Sequence, residues 1–149
     1  MRLYCLGFVF SQTSDGQRGH VFLIRKNRPK WQVGMLNGVG GHIEKGESPE
    51  EAMQREFKEE ADLNIGGWEK FAVMSDGKIW TCHCFTKDWS ASSVVQPYTN
   101  TDEEIVRCPV RAVLAGDEGY PVIPNLRWLI PMALESNGSK IYNITEVVS

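Results

Sequence analysis

The stretch from Gly38 to Leu63 reads GVGGHIEKGESPEEAMQREFKEEADL, and it holds eight of the 19 acidic residues against three basic ones. Ser48, Pro49 and Glu51 combine an N-cap, a proline suited to the first helical position and a capping-box carboxylate, which predicts a helix starting there. At 3.6 residues per turn, Glu56, Glu59 and Glu60 share one stripe of that helix, while Met53, Phe57 and Ala61 line an adjacent apolar one. The carboxylates thus sit on a helix whose neighbouring face can anchor it.

Like charges four apart destabilise a helix by a few tenths of a kcal/mol, so the cluster invites a cation. A hard ion such as Mg2+, which takes oxygen ligands, suits it. A Glu-rich face is also what an ordinary solvated helix presents, and only the wider pattern separates the two readings. Gly41, five residues, Glu47, seven residues, then Arg55-Glu56-Phe57-Lys58-Glu59-Glu60-Ala61-Asp62-Leu63 resembles the Nudix box, matching its fixed positions except at Asp62, where the family has glycine. That glycine ends the helix in the left-handed region, which aspartate tolerates less easily, so the helix exit is expected to move toward Asn64 or Gly66.

The resemblance implies an α/β protein with the Nudix fold, an α/β/α sandwich around a mixed central sheet, forming a single domain over 1–149. It also implies Mg2+, with Mn2+ as an alternative, bound by Glu56, Glu59 and Glu60. Backbone around Gly40 and Gly41 would border the metal and the substrate phosphates, and a further carboxylate would come from outside the box, Glu104 being favoured over Glu103. Glu56 is the first choice of general base and Glu59 the next. Arg55, four residues before Glu59, would pair with it and hold it in place.

The rest of the chain is compatible with this picture. A length of 149 residues with 42% hydrophobic and 23% charged residues describes an ordinary globular protein of one domain. The formal net charge is -3, and because the acidic stretch supplies -5 the remainder is mildly positive. That balance excludes the basic face a nucleic-acid polymer would need. No apolar run approaches the ~18 residues of a membrane span. Cys5, Cys82, Cys84 and Cys108 form no CxxC pair and no zinc spacing with the histidines, so reduced thiols and a cytoplasmic location are expected.

Leu3 to Phe10 reads as a buried strand and His20 to Lys26 as its hairpin partner, separated by the polar turn from Ser11 to Gly19. Arg25, Lys26, Arg28 and Lys30 then bring four cations shortly before the glycine-rich segment. Arg25 and Lys26 are the candidates to meet substrate phosphates. Trp68 to Ser75 and Lys78 to Lys87 read as strands around Asp76-Gly77, with His83 as a strand residue rather than a catalytic base. Ser90 to Thr101 is expected to be a long loop, Ile105 to Val110 a strand, and Asn125 to Glu135 a second helix burying Leu126, Leu129, Ile130 and Ala133. Asn137-Gly138 is expected to end that helix, with a short strand following between Lys140 and Ile144.

Within the family, the likeness is to nucleoside triphosphatases of the MutT type that act on oxidised purines. Leu36-Asn37-Gly38-Val39-Gly40-Gly41 resembles that subgroup's W-N-G-x-G-G segment, with leucine in place of tryptophan. Pro124-Asn125-Leu126-Arg127-Trp128 resembles the opening of its purine-recognising helix. Asn37 and Asn125 are therefore candidate base contacts, since a carboxamide both donates and accepts. Each has a second reading, Asn37 as a turn residue and Asn125 as a helix cap. The implied reaction is metal-dependent hydrolysis of a phosphoanhydride in a nucleoside diphosphate linked to another moiety. An intact or oxidised purine nucleoside triphosphate, giving monophosphate and pyrophosphate, is the first choice. ADP-ribose or a nucleotide sugar is an alternative substrate, a silent nucleotide-binding domain an alternative class, and monomer and homodimer both remain open.

Overall fold

The computed structural model describes residues 1–90, 97 and 99–147. Its centre is a mixed sheet of eight strands: β1 (Arg2–Gln12), β2 (Arg18–Arg25), β3 (Leu36–Asn37), β4 (Val39–His42), β5 (Glu69–Ser75), β6 (Trp80–Ser90), β7 (Ile105–Pro109) and β8 (Tyr142–Thr145). The main path runs β3-β2-β1-β6-β5-β8, with β4 on β1 and β7 on β2. β1 and β6 lie parallel from Arg2 opposite Trp80 to Gln12 opposite Ser90, while β1 and β2 are antiparallel, as are β5 and β6.

The two-residue period of a strand explains why both faces of this sheet are covered. Along β1, Cys5 and Val9 face one side, where α1 (Pro49–Ala61) packs Met53, Phe57 and Ala61 against them. Leu6, Phe8 and Phe10 face the other, beneath α2 (Val110–Leu114) and α3 (Leu126–Glu135). The stripe Leu126, Leu129, Ile130 and Ala133 is fully buried there, and Met53 and Phe57 are equally inaccessible on the opposite face. All four cysteines are free and buried. Among the described residues no helix is long and apolar enough to cross a membrane.

Several elements differ from the sequence-based expectation. β1 runs on to Gln12 and β2 starts at Arg18, which shortens the turn between them. α1 does not extend its exit toward Asn64 or Gly66, because Asp62 itself adopts the left-handed conformation at φ 53° and donates its N–H to Lys58 O at 2.9 Å. α3 stops at an extended Ser136, before Asn137. Helix α2 was not expected, since five residues carry too little periodicity to announce a helix. His83 does lie in β6, but its Nδ1 finds no hydrogen-bond partner among the described residues. The loop expected from Ser90 to Thr101 falls largely outside the described residues.

Candidate active site

α1 begins as its sequence dictates. Ser48 Oγ accepts from Glu51 N at 3.1 Å, and Glu51 Oε1 accepts from Ser48 N at 3.0 Å, closing the capping box. β4 pairs with β1 so that Gly41 lies opposite Cys5 and Gly40 opposite Leu6, and this brings the glycine loop against the carboxylate stripe. A Cβ on Gly40 would stand 2.0 Å from Cys5 O, and one on Gly41 only 2.5 Å from Glu56 Oε1. Glycine is the residue that lets backbone and carboxylate approach this closely.

Arg55 organises the carboxylates. Its Nε and Nη2 donate to Glu47 Oε2 and Oε1 at 2.6 and 2.9 Å, a bidentate fork, and Nη2 also donates to His42 O at 2.9 Å. Its Nη1 reaches Glu56 Oε1 at 2.9 Å and Glu59 Oε1 at 3.3 Å. The expected pairing with Glu59 is present, and Glu47 is the stronger partner. The hydrogen bond from Arg55 holds the Glu47 carboxyl below the usual glutamate range. A fixed acid of the box, eight residues ahead of its fixed arginine, was the available signal for that pairing.

The stripe itself is electrostatically incomplete. Burial raises the Glu56 carboxyl above its ordinary pKa, and Glu59 and Glu60 add to that rise although Arg55 opposes it. Burial likewise raises Glu60, whose Oε2 accepts from Thr101 Oγ1 at 2.8 Å and which also feels the charge of Glu103. Half-buried carboxylates that repel one another are stabilised by a cation, and an all-oxygen donor set suits a hard one. The all-oxygen chemistry of these side chains fits a hard divalent ion. Among the described residues no three His, Cys, Asp or Glu side chains come together as a group that could hold a metal ion by themselves.

A cleft of about 710 Å3 opens beside this cluster. Gly38, Gly40 and Gly41 line it, and so do Lys26 and Arg28. Arg25 does not line it; its Nη1 donates to Gly34 O at 3.1 Å and its Nε stands 3.9 Å from Glu104. Glu104 itself is directed to solvent and to Arg25, whereas Glu103 is 3% exposed and is the one whose charge reaches Glu60. Strand alternation favours Glu104 only for a strand that has already begun, and β7 starts at Ile105.

At the far end the cleft is lined by Asn37, Asn125, Met74, Tyr4, Trp80 and the exposed Trp31. Asn37 Oδ1 accepts from Gly38 N at 2.8 Å, so its turn role is real, and it leaves the amide nitrogen as the group available to a ligand. Asn125 sits at the N-terminus of α3 but makes no side-chain capping bond. Its Oδ1 is buried without a partner among the described residues, and its Nδ2 meets only Met74 Sδ at 4.0 Å. Sequence reading missed the aromatic walls, because Tyr4, Trp31 and Trp80 come from three separate segments with no shared spacing. Cys5 also borders the cleft, but burial pushes its thiol to about 12, so it supplies no thiolate.

A family model for the NUDIX domain matches residues 8–128. No curated protein matches the chain. Among solved structures, the MutT protein of Bacillus halodurans is 20% identical with a TM-score of 0.68, covering 100% of this chain and 95% of its own. A MutT structure from work on Aliivibrio salmonicida and Vibrio cholerae is 17% identical at TM-score 0.66, covering 91% and 97%. The NUDIX domain of Shewanella oneidensis NrtR, complexed with ADP ribose, is 19% identical at TM-score 0.67, covering 89% and 86%.

Proposed function

The chain belongs to the Nudix hydrolase family, and from that premise we propose that it hydrolyses a phosphoanhydride in a purine nucleoside triphosphate, releasing monophosphate and pyrophosphate. One observation carries the choice of substrate. The cleft whose Gly41 lining stands against Glu56 is also lined by two carboxamides, Asn37 and Asn125. A carboxamide both donates and accepts, so the two together suit the mixed donor and acceptor edge of a purine. Tyr4, Trp31 and Trp80 supply apolar surface for the ring faces.

Glu56, Glu59 and Glu60, with backbone around Gly40, would hold Mg2+ or Mn2+, which when bound supplies charge neutralisation on the phosphate oxygens and acidifies water. Glu56 then takes the proton of the attacking water. Its burial makes it a stronger base than a free glutamate, and its closeness to Gly41, where an added Cβ would stand 2.5 Å from Glu56 Oε1, supports a role beside the cleft. Arg55 fixes Glu56 and Glu59 in orientation, and Lys26 meets the distal phosphates. Water attacks phosphorus directly. The thiols bordering the cleft are held protonated, which removes the obvious covalent nucleophile.

Chromatography of the products from a nucleotide panel that includes oxidised purine triphosphates and ADP-ribose, with pyrophosphate read through added inorganic pyrophosphatase, tests the reading. Turnover of a purine triphosphate is expected, with label from 18O-water in a single product phosphate. A second reading, hydrolysis of ADP-ribose, is favoured by the ADP ribose complex of the Shewanella oneidensis domain, and selective turnover of that compound would establish it. Intact Glu56, Glu59 and Glu60 argue against a silent domain.

A further inference from the structure

Residues 99–104 connect the two halves of the phosphate end, and their hydrogen bonds divide into two sets. The first set holds the C-terminal turn of α1, whose last carbonyls lack partners within the helix. Asn100 donates its backbone N–H to Glu60 O at 3.0 Å and its Nδ2 to Glu59 O at 3.1 Å. Thr101 Oγ1 donates to Glu60 Oε2 at 2.8 Å and accepts from Glu103 N at 3.1 Å. The second set belongs to Glu103. Its Oε1 accepts from Lys26 Nζ at 3.1 Å, its Oε2 accepts from Asn27 N at 2.6 Å and Arg28 N at 3.4 Å, and Arg28 Nη1 stands 3.7 Å from Oε1.

A carboxylate has about four lone-pair directions. Three of those of Glu103 are taken by hydrogen bonds from the loop that carries Lys26 and Arg28, two cations lining the cleft, and the Arg28 guanidinium faces the remaining Oε1 at 3.7 Å. The carboxylate is thus turned toward the cation loop rather than toward an ion beside Glu60. We propose that Glu103 is a positioning residue and not a metal ligand: it presents Lys26 and Arg28 to the substrate phosphates, while Thr101 orients Glu60 toward the cation. This rests on the reading of the site as a metal-dependent nucleotide hydrolase.

The division predicts two variants with opposite signatures. Mn2+ binding to the metal-free protein is followed by the electron paramagnetic resonance of free Mn2+, alongside steady-state kinetics on a purine triphosphate at saturating Mg2+. Glu103→Gln should leave the Mn2+ dissociation constant within twofold and raise KM about tenfold, as a lost charge-assisted anchor would. Thr101→Val should weaken Mn2+ about tenfold, the usual size for a group that orients a ligand, leave KM at saturating metal unchanged, and be rescued by Thr101→Ser. Lys26→Met keeps Glu103 and serves if Glu103→Gln does not fold; it should raise KM and leave Mn2+ binding alone.

If Glu103→Gln weakens Mn2+ tenfold with KM unchanged, or if Lys26→Met tightens Mn2+ by releasing Glu103 to the ion, the proposal is overturned. Equal behaviour of Thr101→Val and Thr101→Ser overturns its other half. Wild-type protein that binds no Mn2+ and hydrolyses no nucleotide overturns the hydrolase reading itself, a result distinct from the others.

Discussion

At the phosphate end of the cleft a single guanidinium engages Glu47, Glu56, Glu59 and the His42 carbonyl, whereas at the other end Asn125 Oδ1 meets no donor among the described residues. The first region is charged and crosslinked, and its carboxylates and guanidinium come from one continuous stretch of chain. The second is sparsely bonded and assembled from β1, β3, β5, β6, the start of α3 and the turn before β3. Under the proposed function, the difference follows from what each region does. Stabilising charge that develops on a phosphate requires groups held in place beforehand, so the protein satisfies them with one another. Recognising a base requires groups left unsatisfied until the ligand arrives.

The sharpest way to break this contrast is at Glu56. Glu56→Gln keeps the shape but cannot accept a proton, and kcat should fall about 10²–10⁴-fold with little change in KM. A variant that lost KM and kept kcat would move Glu56 to the binding end. Next comes Arg55→Lys, which retains charge but loses the fork to Glu47; activity should drop about 10–100-fold, and added Mg2+ should recover part of it. At the base end, Asn125→Ala and Asn37→Ala should each raise KM for a purine triphosphate about tenfold while kcat stays within twofold. Wild-type KM in both would leave the two carboxamides without a role in binding.

The acid limb of the rate profile sharpens the same comparison. Glu56 must be deprotonated to act, and without bound metal burial raises its pKa, so at low Mg2+ activity should begin to fall at a higher pH than an ordinary glutamate would give. Protons and Mg2+ compete for the carboxylates, and raising Mg2+ should therefore shift the limb to lower pH. A limb indifferent to Mg2+ would place the titrating group elsewhere. The smallest effect is expected at Asp62→Gly, which removes a left-handed non-glycine residue. Thermal unfolding should show a gain within about 1 kcal/mol and kcat should not change.

The same contrast explains what could be read before any coordinates. Ser48, Pro49 and Glu51 announce the start of α1 locally, and Glu56, Glu59 and Glu60 declare a shared face by spacing alone, so the phosphate end was legible almost residue by residue. That the sheet is mixed was legible only through family resemblance, and its strand order was not legible at all, since β1 and β6 pair across a long separation in sequence. Glu103 could not be told from Glu104 because the choice depends on where β7 begins, and strand boundaries are the least local of signals. Trp31 and Tyr4 were illegible as cleft residues: an isolated aromatic carries no mark of whether it will face a core, solvent or a ligand. Asp62 shows the remaining limit. Its helix exit is set by a backbone dihedral that aspartate can adopt at modest cost, and side-chain identity was too coarse a guide to it.

The parallel pairing of β1 with β6 also sets the order in which this chain can fold. Arg2 opposes Trp80 and Gln12 opposes Ser90, so the first strand made must wait for the sixth. At about 5–20 residues per second of synthesis, that wait lasts several seconds beyond the emergence of β1 from the ribosome. During it, β1 can pair with β2 and β4 on one edge only, and the other edge stays open through a run of apolar residues. Closing such a distant contact is also the slow step of refolding, because loop entropy is lost before the strands reward it. The centre of the finished sheet therefore stays unprotected until β6 is made, and through that interval the nascent chain exposes to aggregation a strand that ends up deeply buried.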